Sequence, residues 1–123
     1  MSFKTEKEDN YTIIKFSTDK LDAIVAPDLK AELVVISRGG SKNILIDLES
    51  VKYCDSSGLG ALLIGYRLCK EAKGSFVLSS IQATVQQLIV ISQLDTVLTI
   101  KTSIEEAINS LFIDKEDENI EAK

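Results

Sequence analysis

The chain has 123 residues, 45% of them hydrophobic and 27% charged, with 19 acidic and 14 basic side chains and a net charge of −5. That size suits one globular domain, able to hide roughly two-thirds of its unfolded surface, and the acidic balance without a Lys/Arg cluster argues against direct binding of nucleic acid or of an anionic membrane surface. Histidine is absent, which removes the usual general base near neutral pH and the commonest zinc ligand, and excludes a Ser-His-Asp hydrolase.

Phe3 to Asp9 alternates loosely and is charged, Asp9-Asn10 signals a turn, and Tyr11 to Phe16 is rich in β-branched and aromatic residues. Together they predict a hairpin whose first strand is a polar edge, with Lys and Glu discouraging edge-to-edge pairing. Ser17 to Asp22 reads as a loop. Pro27 suits the first turn of a helix, in which Leu29, Leu33 and Ile36 recur at helical spacing until Gly39-Gly40 ends it. Ile44 to Leu48 is a short apolar run of the buried-strand kind. A loop with Val51 and Tyr53 follows, and Asp55-Ser56-Ser57 offers capping side chains for a helix over Leu59 to Ala72, stopped by Gly74. Phe76 to Leu78 forms the heart of another buried strand. Ser79 or Ser80 is a candidate cap for a helix through Val85, Leu88, Ile89 and Ser92. Val97 to Ile100 reads as the last strand. Ser103 and Glu106 have capping-box spacing for a final helix to about Phe112.

This order predicts an α/β fold: a mostly parallel sheet with an antiparallel N-terminal edge strand. Strands separated by helices pair in parallel through right-handed crossovers. If successive strands are neighbours, every crossover helix falls on one face, giving a curved βα superhelix with the other face only partly covered. The boundaries expected are a domain over residues 1–113 and a disordered acidic tail over 114–123, where Ile120 is the only large apolar residue. Cys54 and Cys69 sit in apolar surroundings outside any CxxC pair and read as reduced core residues. Met1-Ser2-Phe3-Lys4-Thr5-Glu6 has no signal-peptide pattern, and no apolar run approaches the roughly 18 residues of a membrane span, so the expected compartment is the cytoplasm.

The stretch Gly58 to Gly65 carries no polar side chain on any face. A helix lying on a sheet buries one stripe and exposes polar residues elsewhere. Two readings stand. Small residues let the helix approach the sheet closely while its neighbours bury it, or apolar groups such as Leu59 and Leu63 face outward beside Ser56 and Ser57 as a regulated interface. Both serines are also ordinary capping residues, and spacing alone does not choose between them. Neither lies in Gly-x-Ser-x-Gly, so no catalytic residue is assigned. Asp22, Asp47 and Asp55 read as a hydrogen-bonding and capping set rather than a metal cage, and no cofactor is expected. Asp47 and Lys101 superficially suit a phospho-aspartate receiver domain, but Tyr11 to Asp22 offers no adjacent acidic pair to hold Mg²⁺.

The string Val51-Lys52-Tyr53-Cys54-Asp55-Ser56-Ser57-Gly58-Leu59-Gly60-Ala61-Leu62-Leu63 resembles the switch segment of STAS domains, most of all the free-standing bacterial anti-sigma-factor antagonists. The likeness extends to Ile44–Leu48 as the central strand, to Leu21-Asp22 as the end of a Gly-Glu-Leu-Asp loop, and to Ser80–Leu88 as the third helix. Two positions depart from the pattern: Asp19-Lys20 stands in place of Gly-Glu, and Gln93 in place of the glycine before Leu94-Asp95. The resemblance implies a non-enzymatic binding module that engages an anti-sigma factor, itself a serine kinase, and so frees a sigma factor for transcription. It implies phosphorylation at Ser56, directly after the motif aspartate, reversed by a PP2C-type phosphatase. The implied partner-binding residues are Asp22, Asp55, Ser56, Ser57, Gly58, Leu59 and Leu63. The competing placement is a STAS module within a stressosome or lipid-transporter assembly.

Overall fold

The computed structural model describes residues 2–111; the expected tail over 114–123 lies outside them. Two antiparallel strands, β1 (Phe3–Lys7) and β2 (Thr12–Phe16), open the chain, and β1 carries the charged, exposed edge expected of it. A two-residue strand, β3 (Lys20–Leu21), precedes α1 (Ala26–Arg38), which has Pro27 in its first turn and buries Leu29, Leu33 and Ile36. Then come β4 (Ile44–Asp47), a second two-residue strand β5 (Tyr53–Cys54), and α2 (Ser56–Glu71). They are followed by β6 (Phe76–Ser79), α3 (Ala83–Ile91), a 3-10 turn at Leu94–Thr96, β7 (Thr99–Lys101) and a last helix, α4, over residues 104–111.

The main sheet runs β1-β2-β4-β6-β7, with every pair after the first hairpin parallel. Its strands are therefore laid down in sequence order, unlike the 2-1-3-4-5 order of a flavodoxin-like receiver. Pleating sorts the side chains to two faces. Ile14, Ile44, Ile46, Phe76 and Leu78 point into the larger core with the buried residues of α1, α2 and α3. Ile13, Leu45 and Val77 point the other way, under Ala107 and Leu111 of α4. Three crossover helices share one face as expected, and the other face has a helix of its own.

Four details of the sequence reading need correction. The Ser17–Asp22 segment and the stretch with Val51 and Tyr53 are not plain loops: the first contains β3 and the second runs into β5, and the two strands pair in parallel as a separate small sheet. Neither Ser79 nor Ser80 caps α3. The Ser79 hydroxyl is buried against the Ile46 carbonyl (3.3 Å), and Gln82 occupies the cap position without a side-chain cap bond. Gly74 is not the left-handed residue that ends α2: Lys73 adopts that conformation (φ 61°), while Gly74 lies so close to the Lys42 backbone that no Cβ fits. The last strand begins at Thr99 rather than Val97 because the 3-10 turn precedes it. Half of the Ser103/Glu106 box forms: the Ser103 hydroxyl accepts from Glu106 N–H (3.2 Å), while the Glu106 carboxylate reaches one residue farther back and accepts from the Thr102 hydroxyl and amide. Those bonds hold the Glu106 carboxyl below its ordinary pKa.

Candidate functional site

The small β3–β5 sheet brings two distant segments together. Lys20 pairs with Tyr53 and Leu21 with Cys54, the amides of Lys52 and Tyr53 donate to the Asp19 carbonyl (2.8 and 3.0 Å), and Asp55 N–H donates to the Leu21 carbonyl (3.3 Å). The turn after Leu21 therefore lies against the start of α2.

At that junction two carboxylates are occupied by backbone donors. Asp55 is the N-cap of α2: its Oδ1 accepts from Gly58 N–H (3.0 Å), and its Oδ2 reaches across to accept from Ala23 N–H (3.2 Å). Asp22 Oδ1 accepts from the amides of Ile24 (3.0 Å) and Val25 (3.2 Å). Asp47, nearly buried at the end of β4, accepts from Glu49 N–H (3.0 Å). All three aspartates order the backbone, in keeping with the sequence reading of a hydrogen-bonding and capping set. Among the described residues, no group of three or more His, Cys, Asp or Glu side chains could hold a metal ion.

With Asp55 as cap, Ser56 and Ser57 become the first two residues of the helix. Ser56 is exposed and Ser57 half-buried. Ser57 is thus not the cap, contrary to the ordinary-capping reading of both serines. Gly58 is demanded by close approach: a Cβ there would overlap the Leu21 carbonyl oxygen and press on Cys54 Sγ. Farther along, Gly65 packs on the Phe76 ring in the same way. The apolar start of α2 is explained by burial. Leu59 is only 6% exposed and belongs to the main core, and Leu63 is half-buried against that core. Leu59 therefore does not face outward beside the serines, because the small residues of α2 let the helix pack closely against α1 and the sheet.

The exposed apolar groups at this end of the molecule are ones the sequence reading missed. Ile24, 83% exposed, rides on the turn fixed by Asp22 and Asp55, and Tyr53, 53% exposed, lies three residues before Ser56. A lone aliphatic residue between Asp22 and Pro27 has no periodic pattern to announce it. Cys54 and Cys69 are buried free thiols, and burial pushes both up to about 12. They remain protonated at neutral pH and do not act as nucleophiles. No helix among the described residues is long and apolar enough to cross a membrane.

The sheet order and the loop-to-helix segment at the start of α2 define a recognisable class. The chain matches the STAS domain over residues 2–107 and belongs to that family. It is similar to the anti-sigma-B factor antagonist of Listeria monocytogenes, 28% identical over 101 residues that cover 82% of this chain and 89% of the relative. Its fold is shared by an anti-sigma-factor antagonist (STAS) domain protein from Planctomyces limnophilus, with TM-score 0.81, 23% identity and coverage of 89% and 97% of the two chains. It is shared also by the Bacillus cell fate determinant SpoIIAA in its phosphorylated form, with TM-score 0.69, 24% identity and coverage of 88% and 97%.

Proposed function

We propose that this chain is an anti-sigma-factor antagonist controlled by phosphorylation at Ser56. Unphosphorylated, it binds an anti-sigma factor and frees a sigma factor for transcription. The anti-sigma factor is also a serine kinase. Ser56 Oγ attacks the γ-phosphorus of ATP held by that kinase, the bond to ADP breaks, and the hydroxyl proton leaves to a kinase base. A PP2C-type phosphatase hydrolyses the ester and resets the switch. The protein acts in the cytoplasm and is not itself an enzyme; with no histidine and with Asp22 and Asp55 engaged by amides, phosphoryl transfer falls to the partners. The names of its relatives favour this reading over a module in a stressosome or transporter assembly.

One observation carries the choice of residue. Ser56 is the exposed first residue of α2, beyond a cap that already occupies the Gly58 amide. A phosphate there adds about −1.5 to −2 charges. The helix dipole favours it by roughly 0.3–1 kcal/mol at a surface position, while Asp55 and Asp22 oppose it, so the fold tolerates the modification. The interface does not, because a dianion must be desolvated or left unpaired where the partner docks.

The test is phosphopeptide mapping after incubation with the purified cognate kinase and ATP. Phosphate is expected on Ser56 and absent from Ser56→Ala. Ser56→Asp is expected to keep its melting temperature and to bind the kinase at least about tenfold more weakly, equivalent to roughly 1.4 kcal/mol. Phosphate on Ser57 alone, or on neither serine, overturns the assignment.

A further inference from the structure

We propose that Ile24 is the apolar anchor of the surface that reads Ser56, and that the partner presents an apolar pocket to receive it; this rests on the Ser56 reading above. At 83% exposure, Ile24 has the most exposed large hydrophobic side chain among the described residues. Its position follows from bonds, not chance. Ile24 N–H and Val25 N–H both donate to Asp22 Oδ1 (3.0 and 3.2 Å), Ala26 N–H donates to the Asp22 carbonyl (2.8 Å), and Ala23 N–H donates to Asp55 Oδ2 (3.2 Å). Val25, the next residue, is buried in the main core. The turn is therefore held from below by packing and from the side by the residue that precedes Ser56. An aliphatic group fixed in advance loses little freedom on docking, and preorganised contacts convert more of their burial into affinity.

The chemistry of the occupant follows from what surrounds the side chain. The carboxylates of Asp22 and Asp55 are turned onto backbone amides. The turn therefore offers the partner an aliphatic group and, next to Asp55, a neutral hydroxyl. An apolar pocket with a serine-reading rim matches that pair. Burying an isoleucine side chain corresponds to roughly a ten- to hundredfold gain in affinity, and a phosphate on Ser56 would set a dianion on the rim of the same pocket.

Ile91, the last residue of α3, is 78% exposed and serves as a control of comparable apolar exposure outside this site. The probe is the purified kinase that transfers phosphate to Ser56, with affinity measured by calorimetry. Ile24→Ala is expected to bind at least about tenfold more weakly and Ile24→Asp at least about a hundredfold, with melting temperatures unchanged and Ile91→Asp within twofold of the native chain. If Ile24→Asp binds within threefold of native while Ser56→Asp binds poorly, the anchor is wrong and the Ser56 reading survives. If Ser56→Asp binds like the native chain, the Ser56 reading falls and takes the anchor with it.

Discussion

α2 follows β5 of the small parallel sheet and α3 follows β6 of the main sheet, yet their first turns are used in opposite ways. At α2 the cap is an acceptor: both oxygens of Asp55 are filled by amides, one from its own helix and one from the Ala23 turn. At α3 the side chains are donors aimed backwards. Gln82 Nε2 donates to the Glu49 carbonyl (2.5 Å) and the Thr84 hydroxyl to the Lys52 carbonyl (3.0 Å). The start of α3 thus braces the 49–52 loop that leads into β5, and β5 leads into Ser56. One helix start presents a site, and the other supports it from behind. Equivalent places in successive βα units need not do equivalent work; the residue types at the cap decide.

That contrast breaks most severely at Gly58. The atom nearest an added Cβ is the backbone oxygen of Leu21, which cannot swing aside, so Gly58→Ala is expected to cost about 3 kcal/mol, the upper part of the overpacking range. Gly60, two residues on, has nothing within 4 Å of its would-be Cβ. Gly60→Ala should therefore gain roughly 0.5–1 kcal/mol, the ordinary helix-interior benefit. Urea denaturation of both variants measures the pair. Equal effects would mean that α2 does not approach the β3 turn as closely as described.

A smaller effect separates the two caps. Asp55→Ala removes the cap and the link to Ala23 together, and is expected to cost about 2 kcal/mol. It should also speed hydrogen exchange at the Ala23 amide while leaving the middle of α1 protected. Gln82→Ala loses one bond at an exposed position and should cost about 1 kcal/mol or less. Ser57→Ala, no longer a cap substitution, should stay within about 0.5 kcal/mol. A Gln82→Ala loss as large as that of Asp55→Ala would erase the distinction between presenting and supporting starts.

The elements legible in the sequence were those with strong periodicity. Leu29, Leu33 and Ile36 marked α1, and the runs around Leu45 and Val77 marked central strands buried on both faces. β3 and β5 were not legible: two residues carry no period, and their pairing joins segments more than thirty positions apart through backbone bonds that any sequence could make. The site was half legible. Asp22 and Asp55 are legible as capping and hydrogen-bonding residues, whereas spacing does not separate Ser56 from Ser57 and only the family resemblance does. The exposure of Leu59 is not legible, because an all-apolar helix start looks the same whether it is exposed or sunk against glycine-sized gaps; Leu59 is buried and Leu63 half-buried. The exposed aliphatic group near this end is Ile24, which sits in a turn with no period to mark it.

The helix ends provide the gentlest test, since here α2 and α3 behave alike. Each is followed by a non-glycine residue in the left-handed region: Lys73 with φ 61° after α2, and Gln93 with φ 61° and ψ 22° after α3. Gln93 N–H donates to the Val90 carbonyl (2.9 Å), a backbone bond that any residue in this conformation can make, and its side chain is exposed. For an L-residue the left-handed conformation costs roughly 1–2 kcal/mol, whereas glycine enters it freely but brings more backbone entropy to the unfolded chain. The difference leaves Gln93→Gly more stable than the native chain by roughly 0.5–1 kcal/mol. The gain should appear as a higher urea midpoint at unchanged slope, because the surface exposed on unfolding is the same. Gln93→Val should move the midpoint the other way, since a β-branched side chain fits this region worst. If Gln93→Gly instead lowers the midpoint, the glutamine side chain holds the α3 end through a contact of its own, and the two helix ends are no more alike than the two beginnings.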